Sequence, residues 1–562
     1  MKVKLFLFAF AAIASLFGIS ASAQSIAITN AKIVTVSGET IEKGTVVIRD
    51  GLIESVGANA KIPADAQTID ATGMTVYPGF IDALTSLGLQ APATPAPTGG
   101  GRGGGGAAAA AAAATAQAPA SNSNYALGLR PELTASEDIR AGESQFDANR
   151  NAGFTTVLSV GRTGIFNGQS VLIDLAGDSV SEMVVKSPVA EHISFATIPG
   201  QYPGSLLGTF SALRQMLLDA QRQQQLLKMY AANPKGMRRP EADKSLDALI
   251  PVLNREVPVV FNANTEREII RAVDLAKEFN LKAMVAGGQE AWKVADRLKG
   301  ADMAVLLSLN LPKRTTATSP EADPESLEVL RFRAEAPKCA AKLAAAGVKF
   351  AFQSGGATAI GDFFTNAGKV VEGGLGKDAA VRAMTLGSAE ILGVGDRLGS
   401  IEAGKIANLA VVKGDVFARE RFVPYIIIDG KLFEQKEPPK TEGRPGGGRR
   451  GGQGGGGETP AAVPNIGGSY SITIQIPDSA LSSTLNLTQS GGMLTGTMVS
   501  ELGTSQIRDG HVTADGFSFS ASVQYGGTAI DITVKGSVNG NQISGTIDSP
   551  QGQVPFAGTK NP

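Results

Sequence analysis

Short apolar runs alternate with amphipathic segments through the middle of the chain. The apolar runs are "GFTTVLSV", "VPVVFNA", "LKAMVAG", "MAVLLSLN" and "VKFAFQS". Runs of this length suit parallel strands that are buried on both faces. The segments between them, such as "EREIIRAVDLAKEFN", "GQEAWKVADRLKGA" and "SLEVLRFRAEAPKCAAKLAAAG", have apolar residues at helical spacing. This alternation predicts an α/β fold of βα units, arranged either as a barrel or as an open doubly wound sheet.

The two flanks of this region show a different pattern, in which short strands are joined by tight turns. The N-terminal flank reads "IAITNAKIVTVSGETIEKGTVVIRDGLIESVG". A second β-rich stretch, "LGSIEAGKIANLAVVKGDVFARERFVPYIIIDGKLFE", follows the last predicted helix. We therefore expect one small β-sandwich domain built from residues 24–77 and 395–436, with the βα domain formed by residues 78–394.

Residues 466–562 are nearly all strand and turn, which predicts a separate C-terminal antiparallel β domain. The segments "STLNLTQSGGMLTGTM" and "AIDITVKGSVNGNQISGTI" have the pattern of hairpins that turn at Gly491-Gly492 and Asn539-Gly540. A domain of about 95 residues has the size of either a small antiparallel sandwich or a small barrel. The domain contains no Trp to stack on a sugar, so we expect a structural or docking role for it.

Three further segments lie outside these domains. Residues 1–23 combine two lysines, an apolar run and the small residues Ala21-Ser22-Ala23, which is typical of a secretory signal peptide. We expect export to the periplasm or the extracellular space, and no transmembrane segment. Residues 91–124 form a low-complexity insert within the βα domain, and residues 437–465 form a Gly-rich linker.

Charge and cysteine content narrow the classes of function. The chain has 51 Lys and Arg against 52 Asp and Glu, for a formal net charge of −1. This balance argues against nucleic acid or an anionic membrane as the main partner. Cys339 is the only cysteine, so no internal disulfide can form, and we interpret it as a thiol of the core.

Several ordered motifs resemble the amidohydrolase superfamily and, within it, the imidazolonepropionase-like group. They are "IDATGMTVYPGFID", "NAGFTTVLSVGRTGIFNGQSVLI", "LDALIPVLNREVPVV" and "GDRLGSIEAGKIANLAVV". The resemblance implies a distorted TIM-like (β/α)8 barrel together with a β-sandwich from both ends of the region. It also implies hydrolysis of non-peptide C–N bonds, with zinc or another divalent ion that supplies hydroxide at neutral pH.

The positions that match the family's metal ligands hold other residue types here. The resemblance places the degenerate site at Leu84, Ser86, Asn262, Asn264, Gly287, Gln289, Gln353 and Gly355. The whole chain has only two histidines, His192 and His511, and they lie in different predicted domains. We therefore predict no metal site, no catalytic residue of the family type and no cofactor.

Two functions remain open on this basis. The first is a non-catalytic protein that binds a small molecule at the barrel mouth, or that pairs with an active, histidine-bearing paralogue. The second is an active hydrolase that acts on cyclic amides or dipeptides by a metal-poor mechanism. Asp82 and the pair Gly168-Gln169 are interpreted as structural residues that satisfy backbone groups at the rim.

Overall fold

The computed structural model describes residues 25–89, 125–126, 128–197, 202–314, 325–355, 360–437, 466–476, 479–490, 493–500, 503–513, 516–525, 528–539, 541–549 and 552–561. They fall into two compact units, Met1–Thr441 and Glu442–Pro562. The predicted signal peptide and low-complexity insert lie outside the described residues, as does the predicted linker apart from Glu437. None of the helices within the described ranges is long and apolar enough to cross a membrane.

The described part of the first unit contains strands β1–β18 and helices α1–α12. The strands are β1 (Ile26–Ile33), β2 (Ile41–Arg49), β3 (Leu52–Gly57), β4 (Gln67–Asp70), β5 (Met74–Pro78), β6 (Phe80–Thr85), β7 (Phe154–Ser159), β8 (Phe166–Gln169), β9 (Val171–Asp174), β10 (Val184–Lys186), β11 (Glu191–Ser194), β12 (Val259–Ala263), β13 (Ala283–Gly287), β14 (Ala304–Ser308), β15 (Phe350–Gln353), β16 (Leu409–Lys413), β17 (Phe422–Ile428) and β18 (Lys431–Glu434). The helices are α1 (Ala135–Asp138), α2 (Glu143–Asn151), α3 (Val180–Met183), α4 (Leu206–Ala232), α5 (Lys244–Leu253), α6 (Glu266–Glu278), α7 (Ala295–Gly300), α8 (Leu327–Glu335), α9 (Cys339–Ala346), α10 (Gly361–Glu372), α11 (Lys377–Ala383) and α12 (Leu386–Leu392).

Strands from both flanks of the first unit share one sheet. Its order is β18-β17-β16-β5-β1-β2-β3, and β4 pairs with β1 outside this path. The N-terminal strand β5 runs antiparallel to the C-terminal strand β16, with Val76 opposite Val411. The sequence predicted a sandwich from these two flanks. The structure connects all eight strands through pairing in a single sheet.

Strand β16 of this sheet is buried on both faces, which explains its continuous apolar pattern. Leu409 and Val411 belong to a core formed within the sheet's own strands and loops. Their neighbours Ala410 and Val412 belong to the main core of the βα region. Because side chains of a strand alternate between its two faces, consecutive residues of β16 reach two different cores. The sheet and the βα region are therefore packed directly on each other.

Among the described residues, the βα region has seven parallel strands. β6 pairs with β7, and β11 to β15 pair in succession. The short strands β8, β9 and β10 are antiparallel additions to these two sheets. All five apolar runs named above contain a strand. Strand pairing divides these strands between a sheet of four and a sheet of six. This pairing does not establish the predicted (β/α)8 barrel.

The amphipathic segments also form helices, with one break that proline explains. The segment predicted over 326–347 is divided into α8, a 3₁₀ helix at Ala336–Lys338, and α9. Pro337 lies at the division, where it cannot donate a backbone hydrogen bond. The helix after "GGQE" likewise begins as a 3₁₀ helix, Ala291–Val294, before it continues as α7.

The second unit is a closed antiparallel barrel of eight strands. Its strands are β19 (Gly468–Ile476), β20 (Ser479–Ser490), β21 (Met493–Ser500), β22 (Gly503–Gln506), β23 (Arg508–Thr513), β24 (Gly516–Tyr525), β25 (Thr528–Asn539), β26 (Gln542–Ser549) and β27 (Gly552–Lys560). The ring runs β20-β19-β27-β26-β25-β24-β23-β21 and closes through β20 and β21, while β22 adds to β21. Both predicted hairpins are confirmed, as β20 with β21 and β25 with β26. The separate β domain predicted for residues 466–562 is thus a barrel rather than a sandwich.

Candidate functional site

A cavity of about 400 Å³ lies at the C-terminal ends of the parallel strands in the first unit. Residues at or just beyond the ends of β6, β7, β11, β12, β13, β14 and β15 line it, together with Asn167 from β8. In βα folds the C-terminal edge of the parallel strands is where ligands bind, because the connecting loops converge there. This cavity is therefore the candidate functional site.

The structure brings most of the positions predicted from the sequence together in this cavity. Seven of the eight line its wall: Leu84, Asn262, Asn264, Gly287, Gln289, Gln353 and Gly355. Ser86 is not among the lining residues, and Thr85 contributes instead. The pairing of β6 with β7 has an irregularity between Asp82 and Thr85. Because this shifts the alternation of side chains, the spacing in the sequence does not carry Ser86 to the cavity.

The end of β12 and the start of α6 position two asparagines. Asn262 Nδ2 donates to Asn167 Oδ1 at 3.0 Å, which joins the ends of two strands through neutral amides. A capping box follows, in which the Glu268 carboxylate accepts hydrogen bonds from the backbone N–H groups of Asn264 (2.9 Å) and Thr265 (3.0 Å). The cap starts α6 directly after β12. The connection that follows Asn262 and contains Asn264 is therefore short and fixed.

Gly287 is required by the close approach of the Asn264 side chain. A Cβ atom at this position would lie 2.3 Å from Asn264 Oδ1, and the backbone has a positive φ of 94°. Both conditions exclude a larger residue without rearrangement. The glycine that stands at this predicted ligand position therefore makes room for a neutral amide in the cavity wall.

The opposite wall is formed by the ends of β13, β14 and β15. Gln289 Nε2 donates to the carbonyl of Asn310 at 2.8 Å, and Ser308 Oγ accepts from the backbone N–H of Asn310 at 3.2 Å. Gln353 is 3% exposed, and its Nε2 donates to the carbonyl of Leu306 at 3.2 Å. Its Oε1 atom has no hydrogen-bond donor among the described residues. Gln353 Oε1 is thus a buried acceptor without a hydrogen bond in the described part of the chain.

Asp82 lies next to the cavity but does not line it. It is 1% exposed, and its Oδ1 accepts from the backbone N–H of Ser354 at 2.9 Å and that of Leu84 at 3.3 Å. Burial raises the pKa of Asp82 to about 6, although the Ser354 hydrogen bonds and the charge of Arg162 act in the other direction. The structural role that the sequence suggested for Asp82 is confirmed, because it ties the end of β6 to the end of β15.

The Gly168-Gln169 pair also has the structural role expected from the sequence. The backbone N–H of Gln169 donates to the carbonyl of Leu133 at 2.7 Å. Gly168 has a φ of 87°, and a Cβ atom there would lie 2.6 Å from the same carbonyl oxygen. A glycine is needed at this point because two backbone segments meet.

The charge and donor set of the cavity do not fit a catalytic metal ion. Arg162, which is exposed, is the only charged side chain among the described residues that line the wall. No group of three or more His, Cys, Asp or Glu in the described residues could hold a metal ion. His192 is buried within β11, and His511 belongs to the second unit. Zinc needs imidazole, thiolate or carboxylate ligands, and the wall presents amides and hydroxyls instead.

Comparison with known proteins places this domain in a family. Residues 260–433 match the amidohydrolase family. The crystal structure of an amidohydrolase from Thermotoga maritima MSB8 is 25% identical to this chain, with a TM-score of 0.60. That similarity covers 73% of this chain and all of the other. The chain carries an amidohydrolase-family domain. The resemblance recognised in the sequence is therefore confirmed at the level of the superfamily.

Two further solved structures also match the chain. A prolidase complexed with N-methylphosphonate-L-proline is 18% identical, with a TM-score of 0.42, and covers 74% of this chain and 100% of its own. A Xaa-Pro dipeptidase with bound methionine is 17% identical, with a TM-score of 0.43, and covers 73% and 100%. No curated protein matches the chain.

The lining residues of this amidohydrolase domain include six polar side chains that were not predicted from the sequence. They are Thr85, Arg162, Asn167, Ser194, Ser308 and Asn310. Ser308 and Asn310 end the apolar run "MAVLLSLN", and Arg162 follows "GFTTVLSV". The rule that strand ends converge in βα folds would have found these three. Asn167 comes from an antiparallel strand, which that rule does not cover.

Proposed function

We propose that the amidohydrolase domain of this chain is not catalytic and that it binds a small polar molecule in the cavity. The observation that carries the proposal is the set of side chains at the strand ends. Seven of the eight positions that the resemblance places at the degenerate site line one cavity, and none of them is ionisable. The cavity has a size typical of small-molecule sites, which span roughly 300–1,000 Å³.

The chemistry of the wall supports binding over hydrolysis. Hydrolysis in this superfamily depends on hydroxide generated at a divalent ion, and that ion needs strong ligands. Asn262, Asn264 and Gln289 offer only neutral amide groups, and Asn262 and Gln289 already hydrogen-bond within the wall. A wall of this kind can orient a polar molecule by hydrogen bonds, but it supplies neither a general base nor a nucleophile of the family type.

The proposal includes the finer fold expected from the resemblance, a closed (β/α)8 barrel. The hydrogen bond from the Ser354 backbone N–H to Asp82 supports closure, because it links the first and last parallel strands. The proposal also includes export, which rests on the pattern of residues 1–23 alone. Fractionation of cells that express the full chain tests export, since retention in the cytoplasm with an intact N-terminus would contradict it.

Metal content and activity test the proposal directly. We expect the purified protein to contain less than about one tenth of an equivalent of zinc, manganese or iron, because the described residues provide no suitable ligand set. We expect no turnover of cyclic amides, dipeptides or deaminase substrates, with or without added zinc. A near-stoichiometric metal ion with hydrolysis that a chelator abolishes would overturn the proposal. Hydrolysis without a metal ion would support the alternative, a metal-poor hydrolase.

A second part of the proposal concerns a protein partner. An intact amidohydrolase fold around a neutral site suits assembly with an active, histidine-bearing paralogue. Co-expression followed by size-exclusion chromatography tests this, and we expect the two chains to elute together. Consistently separate elution would contradict the assembly role and leave the binding role to be judged by ligand titration.

A further inference from the structure

Helix α4 extends beyond the elements that it packs on. Arg214 Nε contacts the Glu278 carboxylate at 2.8 Å, and Glu278 is the last residue of α6, shortly before β13. Further along α4, Gln224 Nε2 donates to Asn254 Oδ1 at 2.6 Å, in the segment that leads into β12. Both partners precede parallel strands. At these residues α4 has therefore reached the N-terminal edge of the strands, which is the edge opposite the cavity.

Beyond this point the chain leaves the domain and returns to it at one place. Gln223 is the last buried residue of α4, and its Nε2 donates to the backbone carbonyl of Glu241 at 2.7 Å. Residues 225–240 lie between these anchors, and every one of them is exposed or half-buried. They comprise the last two turns of α4, which are about 12 Å long, and the connection towards α5. We refer to residues 225–240 as the projection.

The projection carries only positive charge. Its charged residues are Lys228, Lys235, Arg238 and Arg239, all of them exposed, and it contains no Asp or Glu. Arg238 lies 3.6 Å from the carboxylate of Glu241, just outside the projection, but both side chains are so exposed that the pair is weak. The even charge balance of the whole chain, which argues against an anionic membrane as the main partner, does not extend to this segment.

Apolar side chains are exposed beside these charges. Leu227 is 38% exposed and Met229 is 54% exposed, while Leu226 and Tyr230 are half-buried. At 3.6 residues per turn these four residues cover about 160° of the helix surface, and Lys228 lies opposite them. An apolar strip beside concentrated positive charge is typical of a segment that lies at the surface of an anionic membrane.

The same features argue against two other partners. A second copy that docked through the same surface would bring two sets of four cations together, because a two-fold interface pairs each surface with itself. Single-stranded nucleic acid stacks its bases on aromatic side chains, and Tyr230 is the only aromatic residue of the projection. Leu227 and Met229 gain nothing from contact with phosphates, whereas they can enter the boundary between lipid head groups and acyl chains.

We propose that the projection docks this protein on the surface of membranes that contain anionic lipids. Its four cations contact the lipid head groups, and Leu227 and Met229 enter the acyl-chain boundary. Because the projection leaves the domain at the N-terminal edge of the strands, docking keeps the cavity at the opposite edge open. The inference concerns a different surface from the cavity and does not depend on the proposed binding function.

Sedimentation with lipid vesicles measures this docking. The purified protein is mixed with vesicles of phosphatidylcholine, either alone or with about one third phosphatidylglycerol. We expect the dissociation constant to be at least about tenfold lower for the anionic vesicles. An ionic strength of about 0.5 M should remove most of this preference, because salt screens exposed charges. Equal binding to the two kinds of vesicle would overturn the inference.

A charge variant assigns the binding to the projection. It combines Lys228→Gln, Lys235→Gln, Arg238→Gln and Arg239→Gln, and it should bind anionic vesicles about a hundredfold more weakly. The matched control loses the same net charge at four exposed cations elsewhere in the first unit. Its changes are Lys43→Gln, Lys61→Gln, Lys282→Gln and Arg419→Gln. We expect less than about a threefold loss from the control. Equal losses would show that binding depends on net charge alone and would overturn the assignment.

A fluorescent label tests insertion and separates a membrane from other anionic partners. An environment-sensitive dye is attached to Met229→Cys, since the native thiol, Cys339, is fully buried. We expect its emission to shift to shorter wavelength with anionic vesicles but not with a single-stranded oligonucleotide. The matched control is a dye on Leu207→Cys, because Leu207 is 79% exposed near the start of α4, outside the projection. A shift at both positions or at neither would contradict insertion. Oligonucleotide binding as tight as vesicle binding would make the projection a nucleic-acid site instead.

Discussion

Asp174 and Glu191 are two buried carboxylates of the first unit with opposite surroundings. Asp174, at the end of β9, accepts hydrogen bonds from Thr156 Oγ1 at 2.6 Å and from Asn408 Nδ2 at 2.9 Å. The Asn408 Oδ1 atom in turn accepts from the backbone N–H of Asp429 at 2.8 Å. This network joins the βα region to the sheet formed by both flanks.

Glu191, the first residue of β11, has no such support. Its side chain is fully buried, and neither carboxylate oxygen has a hydrogen-bond partner among the described residues. Burial, and secondarily the charge of Glu132, raises the pKa of Glu191 well above its ordinary value. The neighbouring His192 is also fully buried, with no partner for either ring nitrogen in the described part of the chain. Burial lowers the pKa of His192 to about 3.

The difference shows that burial alone does not decide what a polar group does for stability. Burial also raises the pKa of Asp174, to about 7, but its hydrogen bonds oppose that rise. A satisfied network stabilises the contact between two layers, and removal of one member takes a hydrogen-bond partner from each group that it contacts. An unsatisfied carboxylate keeps its full desolvation cost, so its removal should stabilise the fold. Substitutions at the two places should therefore have opposite signs.

The largest effect is expected from Asn408→Ala. This change removes the amide that donates to the Asp174 carboxylate and to the Thr156 hydroxyl, and it takes away the acceptor of the Asp429 backbone N–H, while the hydrogen bond from Thr156 to Asp174 remains. We expect the free energy of unfolding to fall by about 3 kcal/mol, as measured by urea denaturation. The control is Asn486→Ala, at an exposed position of the barrel in the second unit. A loss no greater than that of the control would mean that the network does not hold the two layers together.

The sequence predicts the scaffold well because its signals are local or periodic. The apolar runs that contain Asn262, Ser308 and Gln353 each form a strand, and the rule for strand ends then places all three residues at one edge. Ser86 is misplaced because an irregularity in strand pairing depends on contacts between β6 and β7. Such contacts cannot be predicted from the spacing of residues in the sequence.

The buried ionisable groups are the part that the sequence could not predict. β11 contains Glu191 and His192 in succession, which interrupts the apolar pattern that identifies a buried strand. Both residues are normally exposed or paired, and here tertiary packing overrides that preference. The Asp174 network is equally invisible, because Asp174 and Asn408 are 234 residues apart in the chain.

The next largest effect is expected from Glu191→Gln, with the opposite sign. Glutamine has the shape of the protonated acid and carries no charge, so it removes the cost of desolvating a carboxylate. We expect the free energy of unfolding at pH 7 to rise by about 2 kcal/mol. The pKa of Glu191 is higher in the folded chain than in the unfolded chain, where it is 4.5. The wild-type protein therefore keeps its full stability below pH 4.5, where the acid is protonated in both states, and loses stability as the pH rises. The gain should accordingly be near zero at pH 4.

Thermal unfolding between pH 4 and pH 8 measures this dependence. Glu241→Gln is the matched control, because its side chain is 86% exposed. A variant that is less stable than the wild type at pH 7 would show that the Glu191 carboxylate is stabilising, and the comparison with Asp174 would then fail.

The smallest effect at neutral pH is expected from His192→Leu. Leucine fills a similar volume and removes two ring nitrogens that have no partner in the described structure, so we expect a gain of about 1 kcal/mol at pH 7. The pH dependence is the more decisive measurement. Burial lowers the folded-state pKa from 6.5 to about 3, so the unfolded chain binds a proton first as the pH falls, and stability is lost over that interval. The variant should lose less stability between pH 6.5 and pH 4 than the wild type does. Parallel losses in the two proteins would show that His192 already finds a partner when it is protonated, and that only Glu191 is unsupported in β11.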